Sequence, residues 1–512
     1  MNRSVPGLVA LLVFSFIASA AWAQSEPSKV EKTRSRKDAK SAQPPAAPQL
    51  LFGALLVSTH SAEARQFVEK SLDEYENVTL EESLVDARKA AEKDPEFALA
   101  FAMWSFVARR DEPNPAALAK ANALAAFATP EEKLLVHWMT ATQSRDLLPA
   151  IQLMNDLLDK FPNDKHILYL TAEWLYFQQD YDRSRRLFEA SLKIDPDFPP
   201  ALNMLGYAYI ETGDPDPAKA IAALRRYAQL QPNQPNPRDS LGEIYRFAGN
   251  DNASLDEYAA ALKIQPTFYT SQLGLGDTAA LMGDFDRARV ELHKANFLAP
   301  SSRDRLHIAF QHALVNFWEG KPEQGRAEIM ALAERVARKK DPYAQYEVGL
   351  GQAFLASNVE EEIKVLDAVE AHFTSPVEGM SENDRQTALA SIMRERVRVL
   401  SLTGKTDAAA AVIQKLETLA VSSRDSIIEN CYDSARGFLL FAKGNYAGAV
   451  DALESDTQNP LVARQAVLAY EELGDAAGAS AAKTRLHYLR APTPQWYLVT
   501  HPATAQTTAS SQ

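Results

Sequence analysis

Five prolines in the middle of this 512-residue chain recur at a nearly constant spacing. Pro162, Pro196, Pro232, Pro266 and Pro300 are separated by 34, 36, 34 and 34 residues. Each follows a stretch in which apolar residues recur with the period of a helix, and proline ends a helix because it lacks the backbone N–H and its ring clashes with the preceding turn. The spacing therefore predicts a helical unit that repeats along the chain and packs mainly on its neighbours.

The residues inside each period predict two helices joined by a tight turn. Leucine and tyrosine of the first helix can pack on its partner, while glycine permits a close approach. A small residue recurs in the second helix, and glycine or a short polar residue recurs in the turn. The recurring residues are Leu205, Gly206 and Tyr209, Leu241, Gly242 and Tyr245, Leu275 and Gly276, then Ala261 and Ala295, and at the turns Asp180, Gly213, Gly249 and Gly283.

These recurring positions resemble the tetratricopeptide repeat (TPR) family, most clearly over residues 164–302. The resemblance implies an all-α fold, a right-handed superhelical solenoid of stacked antiparallel helix pairs. Weaker copies run from Ser61 to Arg490, with further inter-helix turns at residues such as Gly320 and Gly404. The chain is therefore expected to contain eleven or twelve helix pairs.

Composition divides the chain further. Residues 1–23 contain a short apolar run and end on Ala21-Trp22-Ala23, which is typical of a cleaved signal peptide. Residues 24–49 are basic and proline-rich, which predicts a disordered linker. The TPR solenoid is expected over 50–302 and degenerate TPR-like repeats over 303–490. A C-terminal tail covers the remaining segment, 491–512.

The signal is of the bacterial type, which predicts an exported bacterial protein located in the periplasm, with secretion as the alternative. No stretch after residue 23 is apolar over the roughly 20 residues that a membrane helix needs, so the mature chain is not expected to span a membrane. An uncleaved N-terminal anchor is the other reading of the same segment.

Charge argues against nucleic acid as a partner. The chain carries a formal charge of −13, of which residues 1–23 contribute +1 and residues 24–49 contribute +3, so −17 remains from Leu50 onward. An acidic surface repels phosphates. The basic linker is interpreted as a solvated spacer.

Motifs that suggest chemistry have structural explanations. Gly274-x-Gly276-x-x-Ala279 spells a dinucleotide-binding fingerprint, but it falls within a predicted helix and lacks the preceding strand. His307 and His312 are five residues apart, which places them on different helix faces rather than at one metal. Cys431, the single cysteine, is expected to be a buried small hydrophobe. No enzyme activity, cofactor or metal site is predicted.

A stripe on the first helices is the candidate binding surface. The stripe takes the positions two before, two after and five after the recurring leucine site of each first helix. These positions fall at i, i+4 and i+7, so they line one helix face. They combine aromatic rings with carboxylates, which suits an extended segment with apolar and basic residues. An intramolecularly packed inner face is the alternative. The positions are Tyr169, Glu173 and Tyr176, then Asn203, Tyr207 and Ile210, then Asp239, Glu243 and Arg246.

Three functions are compatible with this sequence. The favoured one is a scaffold or adaptor in the cell envelope that holds extended peptides or partner proteins on a concave acidic and aromatic surface. A subunit of an envelope assembly or secretion complex is the first alternative. An enzyme with its site in the degenerate repeats, residues 343–490, is the less favoured one. The apolar tail segment 496–499 could itself occupy a groove.

Overall fold

A computed structural model describes residues 49–51, 55–108, 114–144 and 146–502. The predicted signal peptide and all but the last residue of the predicted linker lie outside these residues. Two compact units divide between Pro162 and Asn163, and we call them unit 1 and unit 2. The segment limits inferred from the sequence stay predictions.

Unit 1 contains six α-helices and a short antiparallel hairpin in the described residues, β1 (Gln49–Leu51) and β2 (Leu55–Val57). The Glu132 carboxylate is buried and accepts from the backbone N–H groups of Ser58 (2.6 Å) and Leu99 (3.2 Å), which ties the hairpin end to the helices. The helices are α1 (Ala62–Glu76), α2 (Leu80–Lys93), α3 (Ala98–Val107), α4 (Pro115–Leu124), α5 (Pro130–Ser144) and α6 (Leu147–Lys160).

Unit 2 contains nineteen α-helices among its described residues. The first six are α7 (Lys165–Phe177), α8 (Tyr181–Ile194), α9 (Pro199–Glu211), α10 (Pro217–Leu230), α11 (Asn236–Phe247) and α12 (Asp251–Ile264). The next six are α13 (Tyr269–Met282), α14 (Phe285–Leu298), α15 (Ser302–Trp318), α16 (Pro322–Lys339), α17 (Pro342–Phe354) and α18 (Val359–Phe373). The last seven are α19 (Glu382–Leu402), α20 (Thr406–Ser423), α21 (Ser426–Ala442), α22 (Tyr446–Leu453), α23 (Pro460–Leu473), α24 (Ala476–Tyr488) and α25 (Pro494–Thr500).

The turns lie where the sequence places them. Asp180 and Asp284 cap α8 and α14, where each side chain accepts the backbone N–H of the third residue after it. Gly249 and Gly283 adopt φ of +71° and +81°, a conformation that residues with a Cβ rarely adopt. The predicted helix–turn–helix units are therefore confirmed at these positions.

Glycines in the first helices permit the close approach that the sequence predicts. A Cβ added at Gly206 would lie 2.6 Å from Cγ of Leu224 on the partner helix. One added at Gly242 would lie 2.9 Å from the ring of Tyr258. The leucine and the tyrosine fill the space that the two glycines leave.

In the described residues, α1 to α6 form three successive pairs in unit 1 and α7 to α24 form nine in unit 2, where α25 follows them alone. This confirms the predicted all-α repeat array and agrees with the predicted number of pairs. The hairpin was not expected, because three-residue strands carry too little alternation to be recognised in a sequence. In the part of the chain that is described, no helix is both long enough and apolar enough to cross a bilayer.

Unit 2 makes contacts between helix pairs that are far apart in sequence. Residues at or just after the C-terminal ends of α7, α9 and α11 bond to residues 239 to 251 positions later, at the start of α21 and after the ends of α22 and α24. We call these contacts the closing seam. They are Ser426 Oγ to the Gln178 carbonyl (2.8 Å), Asn430 Nδ2 to Gln179 Oε1 (2.8 Å), Gln458 Nε2 to the Glu211 carbonyl (3.0 Å), and Arg490 to both Asp251 carboxylate oxygens (2.5 and 2.9 Å).

Candidate functional site

The nine residues predicted to face a partner lie on the first helices of three successive pairs. The structure buries all nine, with exposed fractions between 1% and 7%. On α7 they are Tyr169, Glu173 and Tyr176, on α9 Asn203, Tyr207 and Ile210, and on α11 Asp239, Glu243 and Arg246.

Hydrogen bonds between successive first helices satisfy polar atoms of these buried residues. The Tyr207 hydroxyl on α9 donates to Oε2 of Glu243 on α11 at 3.1 Å. Ser240 on α11 donates back to Oδ1 of Asn203 at 2.8 Å. Because buried polar groups lose their water, these bonds satisfy atoms that would otherwise be costly to bury.

The same arrangement continues along unit 2, and we call the whole series the inter-repeat ladder. Each member joins a first helix to the first helix of the next pair. Beyond α9 and α11, the members are Ser271 to Asp239, Tyr269 to Asp304 (3.2 Å), His307 to Glu347 (3.2 Å) and Tyr343 to Asp384 (2.8 Å).

One group of buried charges lies around α11. Arg246 pairs with Glu243 at 2.8 Å, and both side chains are almost fully enclosed. Burial raises the pKa of Glu243 to about 7 and that of Asp277, on α13, to about 6, although the positive charge of Arg246 opposes both shifts. Burial also raises the pKa of Asp239 well above its ordinary value. This part of the ladder therefore contains carboxyl groups that keep protons at pH values where exposed carboxyls lose them.

On α7 the predicted residues pack among aromatic rings. Tyr169 contacts the rings of Phe188 and Phe198, with centroids 5.7 and 5.8 Å away, and donates to Glu173 at 3.3 Å. Tyr176 lies edge-on to neighbouring rings in the same way. The packed inner face that the sequence left open as an alternative is the arrangement observed. Partner binding by the nine residues stays a prediction, and it would require neighbouring pairs to separate.

Sequence reasoning missed several residues that belong to this interior. Asp277 occupies the stripe position two after Leu275, so extending the stripe by one repeat would have found it. On α19, Arg394 pairs with Asp456 at 2.8 Å, and Arg398 pairs with Glu362 at 2.7 Å. Charges at such helical spacing resemble a solvated face, and the sequence contained no signal of their burial.

The short helix α25 lies against α15, α17 and α23. Tyr497 and Leu498 are buried in the same apolar cluster as Phe317, and the rings of Tyr497 and Trp318 meet edge-on with centroids 5.3 Å apart. Arg464 of α23 donates to the Leu498 carbonyl at 3.3 Å. We call the surface that α25 covers the α25 groove. Residues 494–500 of the tail therefore occupy a groove as the sequence suggested, though at a different place from the predicted stripe.

The motif residues have structural roles in the described part of the chain. Gly274 lies within α13, where a Cβ would be 2.3 Å from Cζ of Tyr258. Cys431 is buried, as predicted, and burial raises the pKa of its thiol. Among the described residues, no three His, Cys, Asp or Glu side chains come together in a way that could hold a metal ion.

Comparison with known proteins identifies the repeat. Residues 175–244 match the family model described as tetratricopeptide repeat. Anaphase-promoting complex subunit 3 of Schizosaccharomyces pombe is 24% identical over 166 residues, which cover 32% of this chain and 24% of the relative. A UDP-N-acetylglucosamine–peptide N-acetylglucosaminyltransferase of Giardia intestinalis is 26% identical over 155 residues, 30% of this chain and 10% of the relative. The matches thus span a quarter or less of the length of these relatives.

A solved structure also aligns with part of the chain. A tetratricopeptide repeat protein from Parabacteroides merdae covers 56% of this chain and 99% of its own, with 14% identity and a TM-score of 0.35.

Proposed function

The chain is a tetratricopeptide repeat protein, and on this premise we propose that it is a scaffold that binds segments of other proteins. The observation that carries the proposal is α25, an apolar and aromatic helix of the chain itself that lies in a groove between first helices of the repeat pairs. A groove that holds one amphipathic segment has the shape and chemistry to hold another.

The contacts of α25 indicate what a partner segment should contain. Tyr497 and Leu498 supply the buried apolar area, against walls that include Phe317, Phe354 and Leu461. Large aromatic and aliphatic anchors in a fitted pocket supply most of the energy of such interfaces. We infer that a partner presents an aromatic residue followed by an aliphatic one on a short helix and displaces α25.

Competition tests this function. Partners are captured from envelope extract on the immobilised full chain and challenged with a synthetic peptide of residues 491–502. The proposal requires this peptide to release captured partner, while a peptide in which Tyr497 and Leu498 are replaced by Asp releases none. Equal release by both peptides, or by neither, would contradict binding at the α25 groove.

We also propose an envelope location, periplasmic or else secreted, from the apolar run and Ala21-Trp22-Ala23 near the N-terminus. A subunit of an envelope assembly or secretion complex is one form that such a scaffold can take. Cell fractionation together with N-terminal sequencing tests the location. A chain recovered in the cytoplasm that still begins at Met1 would contradict it.

A further inference from the structure

A cavity of about 570 Å³ lies beside α25 in unit 2. This volume falls within the range of roughly 300–1,000 Å³ that is typical of small-molecule sites. Much of its wall is apolar and aromatic, formed by residues such as Phe317, Phe354, Phe438, Leu461 and Tyr497. The cavity therefore favours a ligand with a substantial apolar part.

The charged groups of the cavity are predominantly positive. Three arginines and one glutamate line it: Arg326, Arg398, Arg464 and Glu362. Arg398 is neutralised, because it pairs with Glu362 at 2.7 Å and also with Glu395 behind it. Arg326 pairs with Glu323 at 2.6 Å on the solvent side.

Arg464 is different, because the described part of the chain gives it no carboxylate. It is half-buried and donates to the carbonyl of Leu498 at 3.3 Å. Burial and the neighbouring positive charge of Arg398 lower the pKa of Arg464. Since arginine nevertheless stays protonated, its charge is left uncompensated beside the cavity.

Two further donors at the cavity have no acceptor among the described residues. Gln465 follows Arg464 in the chain, is 6% exposed, and its Nε2 makes no hydrogen bond there. Nε of Arg326 is likewise buried without an acceptor. Buried donors are normally satisfied, so these two favour a ligand that carries a hydrogen-bond acceptor.

We propose that this cavity binds a small apolar molecule with a single carboxylate, such as a medium-chain fatty acid. The carboxylate accepts from the Arg464 guanidinium and the Gln465 amide, and the apolar chain lies along the aromatic wall. A guanidinium pairs strongly with a carboxylate, and one unpaired arginine matches one negative charge. A phosphate would carry more charge than this site compensates and would lack the apolar part. The proposal does not depend on the scaffold function, because it concerns the chain with no partner bound, in which α25 forms part of the wall.

Calorimetric titration of the full chain with decanoate and with 1-decanol, below their aggregation concentrations, tests the proposal. The two probes share the apolar chain and differ in the charge of the head group. We expect saturable binding of decanoate, at least about tenfold tighter than that of decanol. No binding of decanoate, or equal binding of the two, would overturn the proposal.

Variants locate the binding. Arg464→Met should weaken decanoate about tenfold or more and leave decanol unchanged, whereas Arg464→Lys should retain part of the preference for decanoate. Arg338→Met removes an arginine from the exposed end of α16 and serves as the matched control, with affinity like that of the unaltered chain. Circular dichroism checks that each variant is folded. If folded Arg464→Met bound decanoate with unchanged affinity, decanoate would bind elsewhere, and the proposal that it binds in this cavity would be overturned.

Discussion

Single residues on the inner face of unit 2 serve to join repeats. Glu243 shows this most clearly, since it accepts from Tyr207 of the preceding pair and from Arg246 of its own helix. The Glu243 carboxyl is excluded from water, and this burial raises its pKa to about 7. The sequence identified Tyr207, Glu243 and Arg246 as candidate binding residues on one face of the first helices. It did not tell whether that face meets a partner or a neighbouring helix, because both arrangements use the same helical spacing.

The protonation of Glu243 predicts how stability depends on pH. The folded-state pKa of about 7 exceeds the ordinary 4.5, so the folded chain keeps a proton that the unfolded chain has lost. This contribution is complete below about pH 4.5 and is lost as the pH rises through about 7. We expect the loss of this proton from Glu243 alone to lower the free energy of unfolding by on the order of 2 kcal/mol between about pH 5 and about pH 8.

Glu243→Gln should flatten this dependence, as measured by urea unfolding at several pH values. A residual slope should remain from the other buried carboxyls, Asp277, whose pKa is about 6, and Asp239, whose pKa burial also raises. Glu334→Gln, at an exposed position on α16, is the control and should keep the full slope. The same pH dependence in Glu243→Gln and in the unaltered chain would contradict the buried state of this carboxyl.

A glycine pair tests the close packing of first and second helices. Gly274→Ala places a Cβ 2.3 Å from the buried Tyr258 ring, so we expect a loss of about 1–3 kcal/mol in the free energy of unfolding. Gly213→Ala, where nothing lies within 4 Å of the added Cβ, should change stability little. Equal urea midpoints for the two variants would argue against the packing described for α12 and α13.

Among the helices, α25 stands apart because it has no partner helix of its own. With seven residues it is too short to be stable alone in water, so its order depends on the groove. Its N-cap Thr493 accepts the backbone N–H of Trp496, and proline at its first position favours the helical start. The sequence showed an apolar segment after two prolines, but the place where it packs follows from contacts with α23 and with two helices more than a hundred residues earlier, α15 and α17.

Releasing α25 should expose the groove without unfolding the repeats. We expect Tyr497→Asp combined with Leu498→Asp to increase the fluorescence of a dye that binds apolar surface, because a carboxylate is costly in an apolar cluster. Helical content should fall by no more than the few residues of α25. Thr500→Asp adds a charge at an exposed position of the same helix and should have little effect. Loss of most helical signal in the double variant would show that α25 is instead essential to the array.

At the scale of the whole molecule, local order was easier to predict than distant contacts. Proline spacing and turn glycines such as Gly249 specify where each helix pair begins and ends, since these features act within a few residues. The contacts of the closing seam depend on how far each helix pair is rotated relative to the one before it, added up over several pairs. No sequence motif near Gln178 or Arg490 predicts this total rotation. The burial of the ladder follows from how closely successive first helices pack, which the repeat motif leaves open.

The Arg490–Asp251 pair of the closing seam can be tested in unit 2. Arg490 bonds both carboxylate oxygens of Asp251, and the two side chains are largely enclosed, at 15% and 19% exposure. Arg490→Met should cost about 1–2 kcal/mol of unfolding free energy and speed hydrogen exchange near residues 246–251. Exchanging the pair, Arg490→Asp with Asp251→Arg, should restore part of the protection. Unaltered exchange in Arg490→Met would mean that the seam is not closed by this pair.

The central claim is that the α25 groove is the place where the scaffold takes a helical segment. Its most direct test is a fluorescence anisotropy titration of a labelled peptide of residues 491–502 into the full chain and into the chain carrying Tyr497→Asp and Leu498→Asp. We predict saturable micromolar binding to the double variant, whose groove is vacated, and at least about tenfold weaker binding to the unaltered chain, where α25 competes. Absence of binding to the folded double variant, or equal binding to both chains, would contradict the claim.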